Sequence, residues 1–248
     1  MRLQLSTWPE VEAYLGRSTG IVVPIGSTEQ HGPNGLIGTD ALCPEAIAWA
    51  LGERHDILIG PTLSLGMAQH HLAFPGTLSL RPGTLIALLR DTLDSLGRHG
   101  FTRVLFLNGH GGNIATLKAA FAEVYATRSL AAAPASGAPR PALFNWFLGR
   151  RVRELAAELY GDAEGYHATA SEVALSWYVA GVEKSATMTP RIAPLGSAEC
   201  DAETFRRRFP DGRMGSDPSL ARREHGARFL EAGVADAWEA WQGLIDEE

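Results

Sequence analysis

Residues 20–33 (GIVVPIGSTEQHGP) combine an apolar run with a loop that carries metal-binding side chains. The continuous apolar run over residues 20–25 is typical of a buried strand. The glycine-rich loop after it holds Glu29 and His31, and Asp40 follows that loop closely. Glycine and proline in the loop allow the chain to turn, so the three side chains can face one pocket.

A second strand with the same kind of loop lies near the middle of the chain. Residues 103–107 (RVLFL) predict the strand, and residues 108–113 (NGHGGN) place His110 between glycines directly after it. Loops after the carboxyl ends of parallel strands meet at one edge of the sheet. The two loops therefore offer two carboxylates and two imidazoles together, a set that suits a hydrolytic centre with Zn, Mn or Fe(II).

Each loop also has a simpler interpretation. An acid–histidine pair in a loop is commonly an exposed surface feature. A glycine-rich turn before a helix can instead bind phosphate at the helix N-terminus. The chain contains no GxxxxGKS, GxxxxGKT or GxGxxG pattern, which argues against a nucleotide-binding module.

A third cluster lies at residues 166–173 (YHATASEV). We expect Glu172 to be the fifth metal ligand and to act in catalysis. His167 is expected to protonate the leaving nitrogen, because the unperturbed pKa of histidine lies near neutrality. The structural alternative makes Ser171 the N-cap of a helix and Glu172 a first-turn acid that favours the helix dipole.

A fourth segment, residues 66–80, contains Phe-Pro-Gly-Thr, which predicts a turn between two extended pieces. Of the adjacent His70 and His71, we expect only one to line the pocket. Trp146 and Trp177 can shape a substrate slot, but packing in the core is the favoured role for each.

Strand and helix signals alternate along the chain. This alternation predicts one α/β domain over residues 1–248, with a mostly parallel sheet and helices on both faces. Strands are predicted at residues 20–25, 56–60, 103–107 and 141–147, and helices near residues 41–53, 84–96, 113–124, 149–160, 171–180 and 217–245.

Several further features are local. Asp40 can act as the N-cap of the helix that follows it. Residues 131–141, rich in Ala, Pro, Ser and Gly, predict a loop. Residues 185–216 are either an ordered excursion that covers a site or meets a partner subunit, or a surface loop. Within them, the arginines at 206–208 are typical of a solvated helix face.

Composition and charge exclude several classes of protein. The net charge of −6 and the scattered basic residues give no footprint for nucleic acid. No apolar run approaches a membrane span and the N-terminus lacks a signal-peptide core, so we expect a cytoplasmic protein without a membrane partner. Cys43 and Cys200 form no CxxC pattern and are expected to be free thiols.

Together these motifs resemble the creatininase family (creatinine amidohydrolase-like proteins), in its branch outside the true creatininases. The resemblance rests on GSTEQHGP with Thr39-Asp40, on HxxFPGT from His71, on NGHGGN, and on His167 followed by Glu172. It implies a three-layer α/β/α sandwich with a mostly parallel sheet. It also implies a dinuclear metal amidohydrolase that forms a homo-oligomer, a hexamer built from dimers.

The resemblance also implies a division of the ligands between two metals. Carried over to this chain, Glu29, Asp40 and His110 would hold one metal. His31 and Asp40 would hold the other, with Asp40 bridging.

One departure from the family pattern concerns the fifth ligand. True creatininases carry Glu where this chain has Gly112. We expect Glu172 to supply the missing carboxylate. This replacement, together with Asn34-Gly35 where His-Leu is common, argues against creatinine as the substrate.

The expected reaction is hydrolysis of a C–N amide bond in a small molecule, such as a cyclic amide or a formamide. Two divalent metal ions per chain, Zn first and Mn or Fe as alternatives, would activate the water. Backbone N–H groups near Gly111 and Gly112 would stabilise the oxyanion. The alternatives are a metallopeptidase that trims a short peptide through a wider mouth, and a non-catalytic metal-binding or assembly protein.

Overall fold

The computed structural model describes residues 1–131 and 139–246. Within these ranges the sheet has three parallel strands in the order β1 (Gly20–Ile25), β2 (Arg103–Asn108) and β3 (Arg140–Asn145). The strands end in register, with Asn108 paired to Ile25 on one side and to Asn145 on the other. The loops after the three strands therefore open at the same edge of the sheet.

The strand predicted at residues 56–60 is wrong as a regular strand. This segment runs beside β1 but forms only isolated bridges, one of them between Ile59 and Val22. The amide of Gly60 donates to the carbonyl of Val22 at 2.8 Å. Pro61 comes next and has no N–H to extend the ladder, which explains why the pairing breaks here.

Helices cover both faces of this sheet, and all six predicted helices are present. Two short helices, α1 and α7, have no counterpart in the prediction. The last helix begins at Arg223 rather than 217, because Pro218–Leu220 forms a 3-10 turn. The bounds are α1 Trp8–Leu15, α2 Thr39–His55, α3 Pro82–Arg98, α4 Ile114–Leu130, α5 Arg150–Tyr160, α6 Ala170–Ala180, α7 Ala202–Arg208 and α8 Arg223–Asp246.

Two separate apolar cores give the three layers. Alternate residues of a strand point to opposite faces, so Val22 contributes to one core while Ile21 and Val23 contribute to the other. The first core packs α2, α5, α6 and α8 on the sheet, and the second packs α1, α3 and α4. The predicted α/β/α sandwich is thus confirmed.

Both predicted helix N-caps are wrong. Gly38 is the N-cap of α2, so Asp40 lies inside the first turn and its carboxylate is not used for capping. The N-cap of α6 is Thr169 rather than Ser171. The Thr169 amide donates to Glu172 Oε1 at 2.6 Å and its hydroxyl accepts from the Glu172 amide at 3.3 Å, which is a capping box.

Some remaining predictions concern chain segments and single residues. The strand predicted at 141–147 ends earlier, because Trp146–Leu148 forms a 3-10 turn. The loop predicted at 131–141 falls mostly on residues 132–138, which lie outside the described residues. Cys43 and Cys200 are free thiols as predicted. In the part of the chain that is described, no helix has both the length and the apolar character to cross a membrane.

Candidate metal centre

The first turn of α2 lies between the loops that follow β1 and β2. A Cβ atom on Gly26 would lie 2.0 Å from the Asp40 carbonyl oxygen, and one on Gly109 would lie equally close. Only glycine allows both loops to approach the α2 backbone this tightly. The close packing places the Asp40 side chain between Glu29 and His31 of one loop and His110 of the other.

The predicted ligands converge in two groups that share Asp40. In the first group, His110 Nε2 is 3.2 Å from Glu29 Oε2 and His110 Nδ1 is 2.8 Å from Asp40 Oδ2. In the second, His31 Nε2 is 3.0 Å from Asp40 Oδ1 and 3.8 Å from Glu172 Oε1. Within each group the candidate ligand atoms lie within 4.8 Å of one another.

The chemistry of these side chains fits divalent metal ions. Glu29 is fully buried and Asp40 is 3% exposed. Glu29 Oε1 and Asp40 Oδ2 have no hydrogen-bond partner, although histidine nitrogens lie 3.2 and 2.8 Å away. Buried carboxylate oxygens are costly unless the protons of these imidazoles or a bound cation satisfy them. Carboxylate and imidazole ligands together suit Zn, Mn or Fe.

The buried carboxylates give His31 and His110 unusual pKa values. Burial lowers the pKa of His31, but Asp40, with help from Glu172 and Glu29, outweighs burial and raises it to about 10. Burial likewise opposes Glu29 and Asp40 at His110, whose pKa rises to about 9. Without a metal, both imidazoles therefore carry a proton at neutral pH.

The two carboxylates of the second group differ from each other. Burial raises the pKa of Asp40, but His31 and His110 outweigh it and hold this pKa well below its usual range. Burial raises the pKa of Glu172 to about 7, since His31 only partly offsets it. Asp40 is thus a permanent anion, whereas Glu172 can hold or release a proton near neutrality.

His167 lies beside this centre, where the sequence places it. Its Nδ1 atom is 3.7 Å from Glu29 Oε1, and Glu29, His31 and His167 form a third group of possible ligand atoms. Burial, followed by His71 and His31, holds the pKa of His167 well below its usual value. The expectation of a near-neutral pKa is therefore wrong, because the imidazole is buried among other imidazoles.

Of the two adjacent histidines, His71 contacts the centre. Its Nε2 atom lies 3.2 Å from Glu29 Oε1. The His70 ring instead packs against the rings of His71 and Phe205. Burial, then His110 and His31, lowers the pKa of His71 to about 3, so this imidazole is neutral.

Residues 185–216 cover the centre. They contain α7, whose Phe205 ring meets the His71 ring edge-on at 4.6 Å between centroids. The carbonyl of Gly212 accepts from the Gln30 side chain at 2.9 Å. The interpretation as an ordered excursion over a site is therefore confirmed, and the arginines at 206–208 are exposed on α7 as predicted.

Three residues near the centre escaped the sequence analysis. Gln30 contacts His71 and His167, and Glu164 binds Ser171 through its carboxylate. Gly212 completes the set. Their contacts join distant parts of the chain, and no local pattern marks a glutamine between two candidate ligands as different from any other loop glutamine.

A cavity of about 1050 Å³ opens onto the centre. Asp40, His110, His167 and Glu172 lie at its polar end. Trp146 and Trp177 belong to the first apolar core, as favoured from the sequence. The rest of the wall combines apolar side chains, among them Phe147, Leu148, Ile192 and Leu195, with the charged Arg153, Asp162 and Glu164.

The sequence of the chain matches a known family. The sequence model of the family described as "Creatininase: Creatinine amidohydrolase" matches residues 4–241. The chain belongs to the creatininase family. The resemblance inferred from four short motifs thus extends over nearly the whole sequence.

Curated relatives of this creatininase-family chain have different names. A stretch of 108 residues is 37% identical to the mycofactocin precursor peptide peptidase of Mycolicibacterium smegmatis, covering 41% of this chain and 43% of the relative. A stretch of 113 residues is 34% identical to the creatinine amidohydrolase of Pseudomonas putida, covering 43% and 44%. These matches span less than half the length of either relative.

Solved creatininase structures share the fold over nearly the full chain. A crystal structure of creatinine amidohydrolase (creatininase) aligns with a TM-score of 0.77 at 24% identity, covering 98% of this chain and 97% of that one. Other solved creatininases are described as "Zn-Zn type" and as "Creatininase Mn". Structures of this family therefore hold Zn or Mn.

Gly112 lies in a tightly packed position next to His110. A Cβ atom at Gly112 would lie 2.4 Å from His110 Nε2 and 2.5 Å from the Met67 carbonyl oxygen. The position therefore has no room for a carboxylate side chain unless His110 moves. On the other side of the centre, Glu172 lies within reach of His31.

Proposed function

We propose that this protein is a metal-dependent amidohydrolase that cleaves a C–N amide bond. The observation that carries the proposal is the pair of buried ligand groups that share Asp40. One shared carboxylate with an oxygen for each group suits two neighbouring divalent ions. The open cavity beside the pair gives a substrate access to it.

In this proposal, Glu29, Asp40 and His110 hold one metal, and His31, Asp40 and Glu172 hold the other. Zn is the first candidate, with Mn or Fe as alternatives, because all three accept carboxylate and imidazole ligands. When bound, the metals would act as Lewis acids that polarise the amide carbonyl and acidify the attacking water.

The chain supplies the proton transfers. A neutral His167 can accept a proton at Nδ1 from the attacking water and then return it to the leaving nitrogen. Glu172 can exchange a proton close to neutral pH. The backbone N–H of Gly111, which lines the cavity, is a candidate donor to the developing oxyanion.

Metal content tests the proposal directly. Plasma mass spectrometry on wild type should give about two metals per chain. Glu172→Ala should fall toward one, and His110→Ala should lose metal together with turnover. His99→Ala is the matched control, because His99 is exposed outside the site. Full metal and full turnover in His110→Ala would refute the site assignment.

His167→Ala tests the separation between metal binding and proton transfer. We expect this variant to keep its metal and to lose roughly 10²- to 10⁴-fold in kcat, the usual contribution of a general acid–base group. Loss of metal from this variant would instead make His167 a ligand in the third group.

A peptidase that acts on a short peptide is the second candidate, and the size of the cavity favours it. At about 1050 Å³, the cavity lies at the upper end of the range of ~300–1,000 Å³ typical for small-ligand sites, so it has room for a short peptide. A panel of creatinine, cyclic amides, formamides and di- to hexapeptides, compared by kcat/KM, separates the two candidates. Turnover of peptides alone would establish the peptidase. Stoichiometric metal without turnover of any amide would favour the non-catalytic alternative.

A further inference from the structure

The Gln30 side chain has a fixed orientation between Glu29 and His31. Its Oε1 atom accepts from the backbone N–H of Gly32 at 2.8 Å, and its Nε2 atom donates to the Gly212 carbonyl at 2.9 Å. Both partners are backbone groups of fixed polarity, so the amide cannot be reversed without losing two hydrogen bonds. The NH₂ end therefore faces the two neighbouring histidines.

Counting hydrogens then assigns the protons of these histidines. One of the two Nε2 hydrogens of Gln30 goes to Gly212. His71 Nδ1 and His167 Nε2 both lie 2.9 Å from Gln30 Nε2 and compete for the other. His167 Nε2 is also 3.0 Å from the Gln30 carbonyl oxygen, which can only accept. His167 must therefore donate from Nε2, and the remaining amide hydrogen goes to His71 Nδ1.

We propose that Gln30 is a positioning residue: its side-chain amide fixes His71, and its backbone carbonyl fixes His167, in the Nε2–H tautomer. The Nδ1 lone pair of His167 then faces the centre, 3.7 Å from Glu29 Oε1. The Nε2–H of His71 faces the same oxygen at 3.2 Å. Only one part of this inference rests on the proposed function, namely that the His167 lone pair accepts a proton during the reaction.

The segment around Gly212 holds the Gln30 amide in place. Gly212 has φ +85, and a Cβ atom there would lie 1.9 Å from Gln30 Oε1. The fully buried Arg213 donates to the carbonyls of Pro190, Arg191 and Ser216 at 2.8–2.9 Å. Gly212 leaves room for the amide, and the buried Arg213 guanidinium fixes the loop. The Gly212 carbonyl is therefore a rigid acceptor for Gln30.

Imidazole ¹⁵N NMR of selectively labelled protein reads the tautomers directly. In metal-free and zinc-loaded wild type we expect the Nε2–H form at His71 and His167. In Gln30→Glu the carboxylate cannot donate to His71 Nδ1, so His71 should change to the Nδ1–H form. Gln69→Leu is the matched control, because Gln69 is exposed beside His70. An Nδ1–H form at either histidine in wild type, or an unchanged His71 tautomer in Gln30→Glu, would overturn the proposal.

Steady-state kinetics give a second test of the role of Gln30. Gln30→Leu and Gln30→Glu should keep their metal and their KM within about twofold, while kcat falls by about 10- to 100-fold, as for other groups that orient site histidines. If Gln30→Leu does not fold, the nearly isosteric Gln30→Glu still decides the question. Because the tautomers are read without substrate, an inactive wild type would refute the proposed hydrolase and leave this inference to be judged by NMR.

Discussion

Two pairs of histidines lie in one site, and at neutral pH one pair is protonated while the other is neutral. His31 and His110 have pKa values raised to about 10 and about 9. The pKa of His71 is lowered to about 3, and that of His167 falls well below its usual value. All four side chains are almost entirely enclosed, so burial alone does not explain the difference.

The partners of each pair explain it. Both His31 and His110 lie within 3.0 Å of an Asp40 oxygen, and an opposite charge at that distance favours the protonated ring. His71 and His167 lie farther from their nearest carboxylate oxygen, Glu29 Oε1, at 3.2 and 3.7 Å, and burial together with neighbouring imidazoles lowers their pKa values. The first pair is therefore protonated at neutral pH, and the second pair stays neutral beside it.

Asp40→Asn should remove the difference in charge between the two histidine pairs, and it should have the largest effect. Asparagine keeps the shape but removes the charge that raises both histidine pKa values and that both ligand groups share. We expect loss of metal and a fall in kcat/KM of roughly 10³-fold or more, equivalent to several kcal/mol of charge stabilisation. Metal analysis, turnover and NMR titration of His31 and His110 measure this. Asp94→Asn, at an exposed position on α3, is the control; metal retention in Asp40→Asn would contradict the shared-ligand arrangement.

The protons of the first pair make metal binding depend on pH. Below pH about 9, both His31 and His110 are protonated in the metal-free protein, and each must lose its proton to coordinate a metal. Loading both sites at pH 7 should release about two protons from these histidines and part of a third from Glu172, whose pKa is about 7. The overall binding constant should therefore rise roughly 100-fold per pH unit above neutrality, more steeply below it, and level off above pH about 10.

Calorimetry in buffers of different ionisation enthalpy counts these protons. His167→Ala should leave the count unchanged, because the neutral pair contributes none. A count near zero in wild type would mean that the two pairs do not differ in charge.

Gly212→Ala should disturb the neutral pair and have the smallest effect of the three. The added methyl group meets the Gln30 side chain, so His71 loses the hydrogen bond from that amide, while the contacts of Asp40 with His31 and His110 are kept. We expect about a tenfold loss of kcat with full metal content. Gly181→Ala is the matched control, since Gly181 also has positive φ but open space around its Cβ. Both variants bear the backbone strain of about 1–2 kcal/mol, and equal activities would show that Gln30 is not involved.

The convergence of the candidate metal ligands could be predicted because their geometry is local. Glu29, His31 and His110 follow strand ends directly, and the apolar runs before them identify those strands without other information. Parallel pairing then brings the loops to one edge. The three-layer fold is equally accessible, since alternating strand and helix signals determine it.

The proton-handling part could not be predicted in the same way. The Gln30–His167 contact joins residues 137 positions apart, and the Gln30–Gly212 contact joins residues 182 apart. The low pKa of His167 is likewise a property of the packed interior, which no sequence pattern specifies. α7 was missed because its apolar contribution is a single buried residue, Phe205.

The closed space at Gly112 has a consequence for how the branches of this family are related. A gene that drifted toward a glutamate at this position would pass through a protein whose His110 ring is displaced by the new side chain. Such an intermediate would lose a ligand before it gained one. We therefore expect that a glutamate at position 112 requires the backbone around His110 and Met67 to move as well. Directed evolution of creatinine turnover in this scaffold should begin with those flanking positions.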